Sequence, residues 1–115
     1  MLYIQVGDTT LTAILEDNPS AEALAALLEE GPVTLEAENY GGFEKVGALP
    51  ETLPQNDARL TAGPGDVMLY RGDSVVLFYG SNTWSYTKLA RITDTDGLKD
   101  ALSGGETSFT LSLEK

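Results

Sequence analysis

Between Gly65 and Arg91 the chain reads GDVMLYRGDSVVLFYGSNTWSYTKLAR. Two apolar runs, Val67–Tyr70 and Val75–Tyr79, flank Arg71-Gly72-Asp73, and Gly80-Ser81-Asn82 then leads into a third run, Tyr86–Thr93. Runs this short, rich in β-branched and aromatic residues and bounded by glycine, fit strands joined by tight turns and are too brief for helices. Five of the nine aromatic residues, the single tryptophan among them, lie in this stretch. The segment is therefore core sheet that also displays aromatic and amide groups beside a turn.

The remaining segments extend that pattern. Leu2, Ile4 and Val6 alternate with polar residues, Gly7-Asp8 supplies a turn, and Thr9–Leu15 returns, which predicts a β-hairpin. Asn18-Pro19-Ser20 has the capping and first-turn residues of a helix, with Asn18 or Ser20 as the cap. Ala21, Leu24, Ala25 and Leu28 then share one face, and Gly31-Pro32 ends the element, so one main helix is expected over about 19–30. Val33–Glu38 alternates as a half-buried strand, whereas Asn39–Asp57 loses all periodicity and reads as an irregular, glycine- and proline-marked connection. Arg59–Thr61 and Ser108–Glu114 are further short strands, and Asp94–Leu102 is expected to form a helical turn. About eight strands and one helix in one 1–115 domain close most economically as an all-β, eight-stranded barrel, which leaves no unpaired edge.

What the chain lacks narrows its chemistry. Among 115 residues there is no cysteine and no histidine, so disulfides, thiol nucleophiles, Cys/His zinc sites and Ser-His-Asp triads are ruled out. Any proton transfer would fall to Asp, Glu, Lys or Tyr. A net charge of −11 repels phosphate backbones and anionic lipid, so neither nucleic acid nor a membrane is an expected partner. No run approaches the roughly 20 apolar residues of a membrane span, and the alternating N-terminus reads as a strand and not as a signal peptide; a cytoplasmic protein is expected.

Most local motifs have a plain structural use. Arg71-Gly72-Asp73 matches an adhesion tripeptide but has the residues of a hairpin turn. Asp94-Thr95-Asp96-Gly97 resembles the start of a calcium loop, yet Ile92 and Ser103 fall where ligands are needed, so a helix start capped by Asp94 or Asp96 is the better reading, and no metal or cofactor is expected. Glu36 and Glu38, about 7 Å apart on one strand face, are expected on a solvated surface. Glu44-Lys45 lies in the irregular segment, where side chains are placed for contact more than for packing. Gly80–Tyr86 is the best site candidate, since Ser81 and Asn82 offer polar groups and Trp84 and Tyr86 flat apolar contact. Two places remain open for Trp84, a groove wall or the plug of a barrel end.

Taken together, Asn39-Tyr40-Gly41-Gly42-Phe43, Gly47-Ala48-Leu49-Pro50, Gly65–Tyr70 and Leu77–Tyr86 resemble the small cyclophilin-like family of bacteria and archaea, whose function is unassigned. The likeness runs from about Asn39 to Ile92, with the flanking hairpin, helix and last strand in the expected order. It implies a closed eight-stranded cyclophilin-like barrel. It does not imply prolyl isomerisation: true cyclophilins use the arginine of an F-H-R segment, a Q-G-G-D run and a pocket histidine. Here the counterpart is Phe43-Glu44-Lys45, the run is missing and histidine is absent. Lysine lacks the planar fork of arginine.

The expected function is a barrel that binds a small molecule or peptide segment and does no chemistry of its own. Its groove would be lined by Phe43, Lys45, Tyr79, Asn82, Trp84 and Tyr86, with Arg59 from a neighbouring strand. Lys45 or Arg59 would hold a carboxylate or carbonyl of the ligand, and Asn82 would orient it. The rival readings are a weak or divergent prolyl isomerase and an interaction subunit of an assembly.

Overall fold

The N-terminal hairpin forms as the alternation predicts. The computed structural model describes residues 1–114, so Lys115 of the expected 1–115 span lies outside the described residues. Strands β1 (Leu2–Val6) and β2 (Thr9–Leu15) pair antiparallel through Val6 and Thr9, and Gly7 provides the positive φ of 58° that the turn demands. Helix α1 (Pro19–Leu28) is capped by Asn18, whose side-chain oxygen accepts from the Ala21 N–H at 2.8 Å. The Asn18 amide also donates to the Lys88 carbonyl, tying the helix start to the sheet. The helix stops at Leu28, earlier than the expected residue 30, because Glu29 already acts as the C-cap.

The other strands are β3 (Val33–Tyr40), β4 (Glu44–Ala48), β5 (Ala58–Ala62), β6 (Asp66–Tyr70), β7 (Ser74–Phe78), β8 (Asn82–Ile92) and β9 (Ser108–Ser112), with a short helix α2 (Leu98–Leu102) before β9. The nine strands of the described residues join one sheet in the order β2-β1-β9-β3-β4-β7-β6-β8-β5, and β8 pairs back onto β2. Eight strands thus close into a ring, while β5 pairs only with the first half of β8, from Asn82 to Tyr86. The mainly β, cyclophilin-like architecture expected from the sequence is the one observed.

Three local expectations need correction. Glu44–Ala48 is a strand where an irregular connection was expected, paired with β3 on one side and β7 on the other. Asn82–Ser85, read as part of a turn, is strand because β5 pairs with it across Arg59↔Ser85 and Leu60↔Trp84. Neither Asp94 nor Asp96 caps α2: Gly97 occupies the cap with φ 71°, and Asp94 instead accepts from the Asp96 N–H. The irregular part of the connection shrinks to residues 49–57, and it is pinned. Leu49 and Leu53 N–H groups donate to Asp73 and Gly72, Asn56 N–H to Thr87 Oγ1, and the Ser20 hydroxyl to Pro54. With Leu53 buried in the core, this stretch is wall and not lid.

Period-two geometry sends successive side chains to opposite faces of the sheet, and each face of β4–β7–β6 has its own apolar cluster. Val67, Leu77 and the large cluster that includes Leu2, Ile4, Leu35 and Phe109 lie on the inner face, closed off by Leu24 and Leu28 of α1 and Leu98 and Leu102 of α2. Val46, Val76 and Met68, in register with one another, lie on the outer face with Phe78, Tyr86 and Ala62. Among the described residues no helix contributes to that second cluster.

A candidate ligand groove on the outer face of the ring

The outer face carries a groove of about 650 Å³, lined by side chains from β3, β4, the β6–β7 hairpin and the first half of β8. A chain of aromatic rings runs from its rim at Tyr40 across its floor. Tyr40 meets Phe43 edge-on at 6.4 Å, Phe43 stacks with Phe78 at 6.3 Å, Phe78 meets Tyr86 edge-on at 5.3 Å, and Tyr86 lies 6.1 Å from Tyr70. Such pairs add about 0.5–1.5 kcal/mol each beyond the area they bury, which makes the floor rigid.

Phe43 is held by close backbone approaches. Its carbonyl accepts from both Tyr79 and Gly80 N–H groups at 2.9 Å. A β-carbon on Gly41 would overlap the Phe43 ring, and one on Gly80 would come within 2.8 Å of the Phe43 β-carbon. The glycines that break the periodicity of the sequence here are what lets the ring lie down. At the far end Asn82 Nδ2 donates to the Tyr86 hydroxyl at 2.9 Å. The rim is exposed aromatic surface: Tyr40 is 68% and Trp84 51% accessible.

At the centre stands Glu44. It is in register with Tyr40 on β3 and Phe78 on β7, lines the groove and is only 7% exposed. It makes no side-chain hydrogen bond or ion pair among the described residues, where the one ion pair is Arg91 with Asp66. Burial without a partner raises its carboxyl from 4.5 to about 7. Glu36 and Glu38, exposed as expected, add two more acids to the lining, and Arg71 is the one cation there. Arg71 sits at the tip of the β6–β7 hairpin with φ 54°, the single positive value at a non-glycine among the described residues, and its guanidinium lies 5.1 Å from the centre of the Tyr70 ring.

Of the expected lining, Phe43, Asn82, Trp84 and Tyr86 come together in the groove, with Trp84 on its wall and not plugging a barrel end. Lys45, Tyr79 and Arg59 do not. Lys45 points the opposite way from Glu44, as alternation along β4 requires. It is fully buried on the inner face in register with Leu77, and its Nζ donates to the Glu106 carbonyl at 2.7 Å. Burial lowers its ammonium pKa, with the Glu106 charge acting in the other direction. Tyr79 follows Leu77 onto the inner face and joins the large cluster. Arg59 is exposed on β5 opposite Ser85, away from the lining.

The structure also adds Tyr40, Glu44, Tyr70 and Arg71 to the candidates. Glu44 was within reach of the sequence: once 44–48 is a strand, Glu44, Val46 and Ala48 must share a face. With this geometry in hand, the comparison with known families is decisive. The model of the cyclophilin-like family matches residues 4–114. The chain belongs to that family. A search of curated proteins finds no match to this cyclophilin-like chain. Among its described residues no helix is long and apolar enough to cross a membrane.

Proposed function

We propose that the outer groove binds a small molecule or a peptide segment and that the protein does no chemistry of its own. One observation carries the reading: Trp84 and Tyr40, two of the largest exposed apolar side chains, converge on the same groove as a nearly buried, unpartnered carboxyl. Exposed aromatic faces grouped around a concavity of a few hundred Å³ are what ligand sites present, whereas scattered ones mean little. Asn82 spends an amide N–H on Tyr86, so its carbonyl oxygen is the acceptor it has left for a ligand.

Prolyl isomerisation fits this groove poorly. Lys45, the counterpart of the arginine in true cyclophilins, faces the opposite side of the sheet and is committed to Glu106. Thermal-shift screening against a metabolite and peptide library is the test. Ligands should raise the melting temperature of the native protein and lose that effect on Trp84→Ala. If no hit depends on Trp84, the reading falls. A proline-containing peptide should show unaccelerated cis/trans exchange in NMR exchange spectroscopy.

A further inference from the structure

Deepening the binding reading above, on which it rests, we infer that the groove takes an organic cation: a protonated amine carried on an apolar or aromatic body. The amine would sit at Glu44 and the body against Phe43 and Trp84. Three observations lead there.

The first is the charge of the lining. Glu36, Glu38 and Glu44 face one guanidinium, that of Arg71, because Lys45 is turned to the inner face and Arg59 lies outside. An anion entering this groove meets three carboxyl groups in a chain of net charge −11.

The second is Glu44 itself. A carboxylate partly withdrawn from water is ionised at a cost unless a charge or donors offset it. Glu44 is more than nine-tenths buried as a residue, its carboxyl oxygens keep contact with the solvent of the groove, and it has no hydrogen-bonding or ionic partner among the described residues. Arg71 does not repay it, being exposed and laid over Tyr70. A ligand ammonium would.

The third is the aromatic rim. The faces of Tyr40 and Trp84 attract cations through their ring quadrupoles, and the effect grows as water is excluded. Acid at the base and aromatic faces above it are complementary to a cation with an apolar body.

Proton linkage offers an independent readout. Around Glu44 in the groove stand Glu36, Glu38 and Tyr40 from β3, Tyr70 and Arg71 from the β6–β7 hairpin and Tyr86 from β8, while the phenol of Tyr79, on the inner face, also feels the Glu44 charge. Burial holds the Tyr79 and Tyr86 phenols above their ordinary value. The Glu44 carboxyl is held near 7, so a cation that requires its ionised form binds more weakly at pH 5.5 and reaches full affinity above about 8.

The test follows Trp84 fluorescence, the sole indole signal in the chain, during titration with matched probes. These are 2-phenylethylammonium, 2-phenylethanol and 3-phenylpropionate, together with a lysine tripeptide and its acetyl-lysine analogue. The expected result at pH 8 is at least tenfold tighter binding of the ammonium probe than of the neutral and anionic ones. That preference should fall at least fivefold on Glu44→Gln and at pH 5.5, and stay unchanged on Glu51→Gln, which alters net charge equally outside the groove. Binding of the lysine tripeptide in preference to the free amine would support the inference and assign the source as a peptide. Equal binding of the neutral or anionic probe, or an unchanged preference on Glu44→Gln, overturns it. So does silence from the whole series. The binding reading survives any of these if the library screen still yields neutral or anionic hits lost on Trp84→Ala, and falls only if it yields none.

Discussion

Glu44 and Lys45 are neighbours in the chain, yet they occupy opposite environments. Lys45 is sealed into the inner face of the ring, where a backbone carbonyl takes its proton donor. Glu44 lies on the outer face, less deeply set, open to the groove and without a partner among the described residues. On one face the buried ammonium is taken up by a backbone carbonyl; on the other an ionisable group and two large aromatic side chains stay open to the groove. The contrast separates the face that closes the core from the face whose groups stay open to the groove.

Mutations can break this comparison on either side. The largest effect belongs to the inner face: Leu77→Ala, at a fully buried site, should cost about 3–4 kcal/mol in urea unfolding, as cavity-forming changes in closed cores do. Lys45→Ala should follow at about 2–3 kcal/mol, since it leaves the Glu106 carbonyl unpaired, while Lys45→Met keeps the stem packing and should lose less.

The outer face should respond with the opposite sign. The folded pKa of Glu44 is raised, so between about 4.5 and 7 the native state binds a proton that the unfolded state does not. That contribution is fully present below 4.5 and is lost as pH rises through 7, leaving the charged carboxylate costing about 1–3 kcal/mol above it. Glu44→Gln should therefore stabilise the protein by that amount at pH 8 and change little at pH 4.5, read from paired urea melts. A destabilised variant at pH 8 would show that Glu44 has a partner and would remove the contrast. Smallest of all, Trp84→Ala should shift stability by less than about 0.5 kcal/mol, its ring being half in solvent. A loss of 2 kcal/mol there would make it a structural residue.

The ring, the hairpin, the cap of α1 and the strands around Asp73 were legible because their apolar period is regular and their turns carry glycine or proline. β4 was not, and the reason is physical. Its inward positions are Lys45 and Gly47 and its outward ones Glu44 and Val46, so the polarity that normally separates inside from outside is scrambled. Phe109 and Leu35 crowd the space a side chain at Gly47 would need, another demand that comes from distant strands. The first half of β8 was hidden likewise: Ser81-Asn82-Thr83 looks like a turn, and only pairing with β5, reinforced by a Thr61–Thr83 hydroxyl contact of 2.7 Å, draws it out straight. Aromatic residue types pointed to segments that line the groove. Which face each side chain takes depends on register, which composition does not encode, and so Phe43, Asn82, Trp84 and Tyr86 meet in the groove while Lys45 and Tyr79 do not.

The position of β9 bears on how the ring is made. This strand lies between β1 and β3, pairing Ile4 with Leu111 on one side and Leu35 with Phe109 on the other. Two strands synthesised early therefore wait for one synthesised late. While the chain is still emerging from the ribosome, β1 and β3 carry open edges that nothing upstream of Ser108 can fill, and the inner core has a missing wall. The molecule is a clasp whose pin arrives after its frame: the ring cannot complete until Ser108–Ser112 has been made and has docked between the two waiting strands.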